Sequence, residues 1–219
     1  MQIQFLAPHE IEQESFRRID EILGGENDLP PDVWSILRRM IHTSGDPSIR
    51  EDFRIHPAAV RAGVKALLGG CTVSVDTRML LAGISTGRLE RLGASAVCLI
   101  DDPEIAKRAK EAGTTRAVQA LDASLPLLDG GIAAIGNAPT ALLRLLDHMK
   151  MGRVRPALVI GVPVGFVNAA ESKEMLLAQT CPFVTILGTR GGSALAASVV
   201  NALAELALSD MDSRGLHCE

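Results

Sequence analysis

The sequence predicts an α/β fold: one domain with a mainly parallel sheet covered by helices on both faces, preceded by a helical N-terminal segment. Three observations predict it. From residue 71 onward, short and continuously apolar runs alternate with stretches of helical spacing, the pattern of parallel strands buried on both sides. The first quarter of the chain shows helical spacing instead. Finally, 47% of the 219 residues are apolar, mostly Ala, Leu, Val and Ile, which suits close helix-on-sheet packing and suffices for one sizeable core.

Taken in order, residues 8–23 space Ile11, Phe16, Ile19, Ile22 and Leu23 as one helix face, and Gly24-Gly25 end it. Residues 28–31 form a turn into a second helix over 31–41, with Trp34, Ile36, Leu37 and Met40 on its apolar side. Thr43, Ser44, Gly45 and Asp46 then read as a polar loop that carries His42. Residues 49–55 are short and mixed. His56-Pro57 opens a helix through Leu68, with His56 as a capping or packing residue, and Gly69-Gly70 end it. Strands follow over 71–75, 95–100, 131–136, 157–162 and 183–187, each trailed by a helix. One of those helices starts at Asp101-Asp102-Pro103, another is capped by Thr114-Thr115-Arg116 and runs to Leu121, and the helix after the first strand reaches about Ile84. No repeat, low-complexity tract or linker divides the chain. The expectation is a single domain over 1–219: a helical part over 1–55, an α/β core over 56–208 and a loose tail over 209–219.

Composition narrows the function. With aromatics at 3%, no Tyr and a formal net charge of -4, the chain lacks the basic excess and stacking rings of a nucleic-acid binder. Any anionic ligand must be held by local features. Cys71, Cys98, Cys181 and Cys218 form no CxxC pair, so they read as buried free thiols in a reducing cytoplasm, with no disulfide framework and no metal cluster. No signal peptide and no uninterrupted membrane-length apolar run is seen, so the expectation is a soluble, cytoplasmic protein without a membrane partner.

Ligands of open parallel sheets gather at the C-terminal strand ends. There the sequence puts Asp76-Thr77-Arg78, Asp101-Asp102, Gly136-Asn137-Ala138, the loop from Gly161 to Asn168, and Gly188-Thr189-Arg190-Gly191-Gly192-Ser193. The last is a strand, a glycine-rich turn and a helix start. It fits either an anion site or close helix–strand packing, and its spacing is not a dinucleotide fingerprint. The loop 161–168 suits a ligand or a neighbouring chain. His42, whose residue type titrates nearest neutral pH, is a candidate proton donor. Its alternative is a helix end whose last turn suits the macrodipole. On the residues alone Ser15 and Arg17 read first as a solvated face, and Thr114-Thr115-Arg116 as a helix cap. This inventory suits proton-assisted rearrangement of a large anionic molecule better than hydrolysis or redox work.

Three separated motifs carry a resemblance: Ile41-His42-Thr43-Ser44-Gly45-Asp46, the run from Gly161 through Asn168 to Lys173, and Gly188-Thr189-Arg190-Gly191-Gly192-Ser193. In this order they resemble the precorrin-8X methylmutases, or precorrin isomerases, of cobalamin biosynthesis. The similarity runs from Ile11 to about Leu206. The resemblance implies a homodimer that moves a methyl group from carbon 11 to carbon 12 of a tetrapyrrole, converting precorrin-8X to hydrogenobyrinate or cobalt-precorrin-8 to cobyrinate. It implies that His42 is the catalytic acid, that no cofactor is required, and that Ser15, Arg116 and Thr43 contact the substrate. Ser44, Arg190 and Gly191, in the same motifs, complete the candidate substrate-binding set. The alternatives are a non-catalytic tetrapyrrole carrier and, on the glycine-rich turn alone, a nucleotide-dependent oxidoreductase.

Overall fold

The computed structural model of the chain describes residues 7–24, 29–213 and 215. Gly25, the start of the expected turn over 28–31, Cys218 and most of the end of the tail lie outside these residues. Six strands form one sheet: β1 (Phe53–Ile55), β2 (Thr72–Val75), β3 (Ser95–Cys98), β4 (Ile132–Ile135), β5 (Leu158–Gly161) and β6 (Phe183–Ile186), in the order β1-β6-β5-β4-β2-β3. The last five are parallel and coincide with the five expected strands. Every residue of β4, β5 and β6 is buried, which is why these strands read as apolar runs without alternation. The chain leaves β2 for β3 on one side and returns to β4 on the other. The β2/β4 boundary is therefore the topological switch point.

One face of the sheet carries α2 (Pro31–Ser44), α4 (Ala59–Leu68), α5 (Arg78–Gly83), α6 (Thr86–Arg91) and α11 (Ser193–Ser213), around Leu37, Met40, Ile160, Val199 and Leu203. The other carries α8 (Arg116–Leu128), α9 (Pro139–Lys150) and α10 (Ala169–Leu177), around Leu121, Leu142, Leu145 and Leu176. The helix α1 (Pro8–Leu23) packs on α2, and α7 (Pro103–Glu111) packs on α8.

Several expectations are corrected. Residues 49–55, read as mixed, form a short helix α3 (Ile49–Asp52) and the antiparallel edge strand β1, whose three residues are too few to show a period. The helix α2 does not stop at Ile41. The hydroxyls of Thr43 and Ser44 donate to the carbonyls of Arg39 (2.8 Å) and Ile41 (3.2 Å) inside the last turn. Gly45, at φ 67°, then closes it. Helix α8 continues past Leu121 to Leu128, because the buried Leu128 outweighs the breaker Pro126. Helix α6, which was not anticipated, follows α5. The tail is helical through Ser213, held by the buried Met211. Helix α11, at 21 residues, is long and apolar enough to cross a membrane, but 67% of its most apolar 18-residue stretch is covered by the protein itself. Cys71, Cys98 and Cys181 are free thiols and half-buried, where full burial was expected. His56 holds the turn before α4, where its Nδ1 accepts the Ala58 N–H at 3.1 Å, and it packs as anticipated, its ring edge-on to Phe183 at 5.8 Å.

A polar brace ties α8 to α9. The Asp122 carboxylate accepts from Arg144 Nε (2.8 Å) and Nη2 (2.9 Å) and pairs with Nε2 of the buried His148 at 2.6 Å. Burial raises the Asp122 carboxyl, but the hydrogen bonds from Arg144 and His148 outweigh it and hold the group below the ordinary carboxylate range. Asp122→Asn is therefore expected to lose about 1–3 kcal/mol in urea unfolding near neutral pH. A depressed carboxyl stabilises fully above its unfolded pKa of about 4 and loses its contribution as pH falls through the folded value. The gap between wild type and variant should shrink accordingly from about pH 5 to about pH 3.

Candidate active site

His42 stands exposed in the last turn of α2, on a rigid helix end. Phe16 of α1 backs it edge-on, with ring centroids 5.4 Å apart and planes at 75°. The guanidinium of Arg38 lies 4.5 Å from the centre of the Phe16 ring, and that of Arg39 5.3 Å. Both arginines are anchored: Arg38 to Asp20 (3.0 Å), and Arg39 to Glu12 (2.9 Å) and Glu205 of α11. The imidazole thus sits on an aromatic shelf held by ion pairs between α1, α2 and α11.

The other expected residues sort into two groups. Ser15 neighbours Phe16, but its hydroxyl donates within α1 to the Ile11 carbonyl at 2.8 Å. The Thr43 and Ser44 hydroxyls donate to their own helix, and the Ser44 oxygen also accepts the Asp46 N–H at 3.1 Å. Arg190 is committed to the protein. Its Nη1 donates to Asp46 (2.7 Å) and to the Ser48 hydroxyl (2.7 Å), and its Nη2 to Asp52. Hydrogen bonds from the Ser48 hydroxyl and N–H, reinforced by Arg190, hold the Asp46 carboxyl below its ordinary range. Arg190 therefore fastens the turn after β6 to the segment that follows His42. Gly191 is a close-packing residue: a Cβ there would meet the Val162 carbonyl at 2.2 Å and that of Pro163 at 2.7 Å.

Arg116 opens α8 on the opposite face of the sheet, exposed and without an ion pair among the described residues. Thr115 caps the helix by accepting the Val118 N–H, and its hydroxyl lies 3.2 Å from that of Thr140 at the start of α9. Arg116 therefore stands beside the start of α9, on a helix that packs over β2. No described contact joins it to His42.

Two strand-end segments that the sequence singled out take a form it did not show. At the switch point, Asp76 accepts the N–H groups of Gly136 (3.0 Å), Asn137 (2.7 Å) and Ala138 (2.7 Å). Burial raises its carboxyl while these three donors pull it back. The nest at which a doubly wound fold often holds an external anion is filled by the chain's own carboxylate. The one hint was an aspartate directly after an apolar strand. The second feature is the loop after β5. Its base is laced to the glycine-rich turn by Gly192 N–H to Val162 O (2.9 Å) and Gly165 N–H to Thr189 O (3.1 Å). Its tip presents Val164, Val167 and Phe166, the last 93% exposed.

Residues 10–206 match the family model described as precorrin-8X methylmutase. The chain belongs to the precorrin-8X methylmutase family. It is 41% identical to cobalt-precorrin-8 methylmutase of Priestia megaterium, over 96% of this chain and 93% of that one. It is 42% identical to precorrin-8X methylmutase of Pseudomonas aeruginosa, over 80% and 85%. The crystal structure of precorrin-8X methylmutase from Thermus thermophilus superposes with a TM-score of 0.86 at 41% identity, over 92% of this chain and 97% of that one. The fold and the family expected from the three motifs are thereby borne out. The chain is an isomerase of cobalamin biosynthesis that shifts a methyl group within its substrate. Within this family fold, the glycine-rich turn acts as a joint. Gly191→Ala must displace backbone against backbone, and is expected to destabilise by about 1–3 kcal/mol, read as a lower melting temperature.

Proposed function

We propose that the protein moves the methyl group from carbon 11 to carbon 12 of precorrin-8X or cobalt-precorrin-8, with His42 as the acid. The supporting observation is the placement of His42: a proton-transfer group, exposed, on a helix end backed by Phe16, with α2 ion-paired to α1 and α11 and the following segment held by Arg190. Protonation of the macrocycle by the imidazolium draws electron density from the migrating centre. The bond from carbon 11 to the methyl breaks as the bond to carbon 12 forms, and the proton returns to His42. Nothing is oxidised or hydrolysed, so the balance requires no cofactor.

The substrate's acetate and propionate groups suit a partner such as Arg116, whose guanidinium is unpaired among the described residues. Ser15, Thr43 and Ser44 offer hydroxyl oxygens beside His42. Arg190 and Gly191 serve the site by fastening the turn after β6 to the segment that follows His42. The protein acts as a homodimer in this reading, and the bare apolar tip at Val164, Phe166 and Val167 suits cover by a second copy or by the macrocycle itself. The free thiols at Cys71, Cys98 and Cys181 fit a reducing cytoplasm.

The test is optical. Wild-type protein mixed with precorrin-8X, and separately with its cobalt form, is expected to change the spectrum to that of the product. His42→Ala should bind the macrocycle yet turn over about 10²–10⁴-fold more slowly. A bound but unchanged spectrum with wild type would overturn the isomerase and leave a carrier. Sedimentation at two concentrations reads the dimer, and a monomer at both would remove that part.

A further inference from the structure

Behind the Arg190 turn lies a cation that the core does not need for packing. Lys173 of α10 is 0% exposed, and it is the largest of the fully buried side chains. Lysine is almost never fully buried unless paired, because removing its charge from water is unfavourable. Its Nζ donates at 2.7 Å to the main-chain carbonyl of Arg190. Burial pushes the ammonium down to about 8, and the nearby Asp52 carboxylate opposes that shift. A methionine would fill the same space without a buried charge. What lysine adds is a directed bond to one carbonyl.

That carbonyl belongs to the residue whose side chain grips Asp46, Ser48 and Asp52. Fixing the peptide plane at Arg190 fixes where its guanidinium leaves the turn. On the other side of the plane, Gly191 is wedged under the Val162 and Pro163 carbonyls. Asp46 follows His42 by four residues, across the left-handed Gly45. Charges alternate along this line: Lys173, Asp52, Arg190, Asp46. From this juxtaposition we infer that Lys173 is a positioning residue for the methyl shift, setting the Arg190 clamp that holds the end of α2 and the His42 imidazole in place. The inference rests on His42 being the acid.

The experiment compares Lys173→Met, Arg190→Gln and their combination, with His42→Ala alongside, in full-length protein converting precorrin-8X. Because small misplacement of a catalytic group slows chemistry more than binding, Lys173→Met is expected to lower kcat by about tenfold or more with KM little changed. Its melting temperature should not fall in proportion, since an apolar chain of equal size replaces a buried charge. The double variant should be scarcely slower than the slower single, as both break one chain of contacts. Lys173→Gln, which keeps a donor without the charge, should retain more turnover than methionine, and serves alone where the methionine variant does not fold. Wild-type kcat, a loss carried by KM, or losses that multiply in full with Arg190→Gln would overturn the inference. Failure of both replacements to fold would overturn it too, since the ammonium would then be supporting the core. If His42→Ala keeps its turnover, the reading of His42 fails instead, whatever Lys173 does.

Discussion

The arrangement depends on one side chain reaching across a joint. Arg190 leaves the turn after β6 and engages Asp46, Ser48 and Asp52, which lie between the helix that presents His42 and the edge strand β1. The parallel sheet is rigid because its central strands are buried on both faces. The helical N-terminal part has no strand in that parallel set. Its registration on the sheet comes from packing against α11, from the three-residue pairing of β1 with β6, and from this clamp. A bidentate, always-charged guanidinium suits such a task better than a flexible ammonium.

The strand ends show a consistent economy of polar groups. Exposed N–H groups at helix starts are the usual anion sites of this architecture, yet two of them are closed internally. Asp76 takes three N–H groups just ahead of α9, and the Thr77 hydroxyl accepts the Leu80 N–H at the start of α5 at 3.1 Å. Under the proposed function, recognition of an anionic macrocycle would fall to side chains such as Arg116 and to the apolar loop tip. That fits a broad, flat ligand whose charges are peripheral better than a phosphate, which a single nest would hold.

Much of this was legible in the chain. The five parallel strands were readable because burial on both faces writes itself as an uninterrupted apolar run. His56 was readable as a capping or packing residue because a polar residue before proline at a helix start has few other uses. The three motifs identified the family because their order and separation are far more specific than any one of them. The edge strand β1 was not readable, since three residues with one exposed arginine carry no period. The last turn of α2 was misread as a loop, because Thr43 and Ser44 resemble turn residues until their hydroxyls are seen to bond back onto the helix.

By itself, then, the sequence determined the fold class, the family and His42 as the proton donor to test, because these follow from local pattern and from the presence of particular residue types. Only the tertiary structure decided what each polar group faces. It placed Lys173 beneath the Arg190 carbonyl, engaged the Arg190 guanidinium with Asp46, and filled the switch-point nest with Asp76. Those partners lie 17, 144 and 61 positions apart. Hydrogen bonds over such separations have no sequence period, and exist only once packing has brought the elements together.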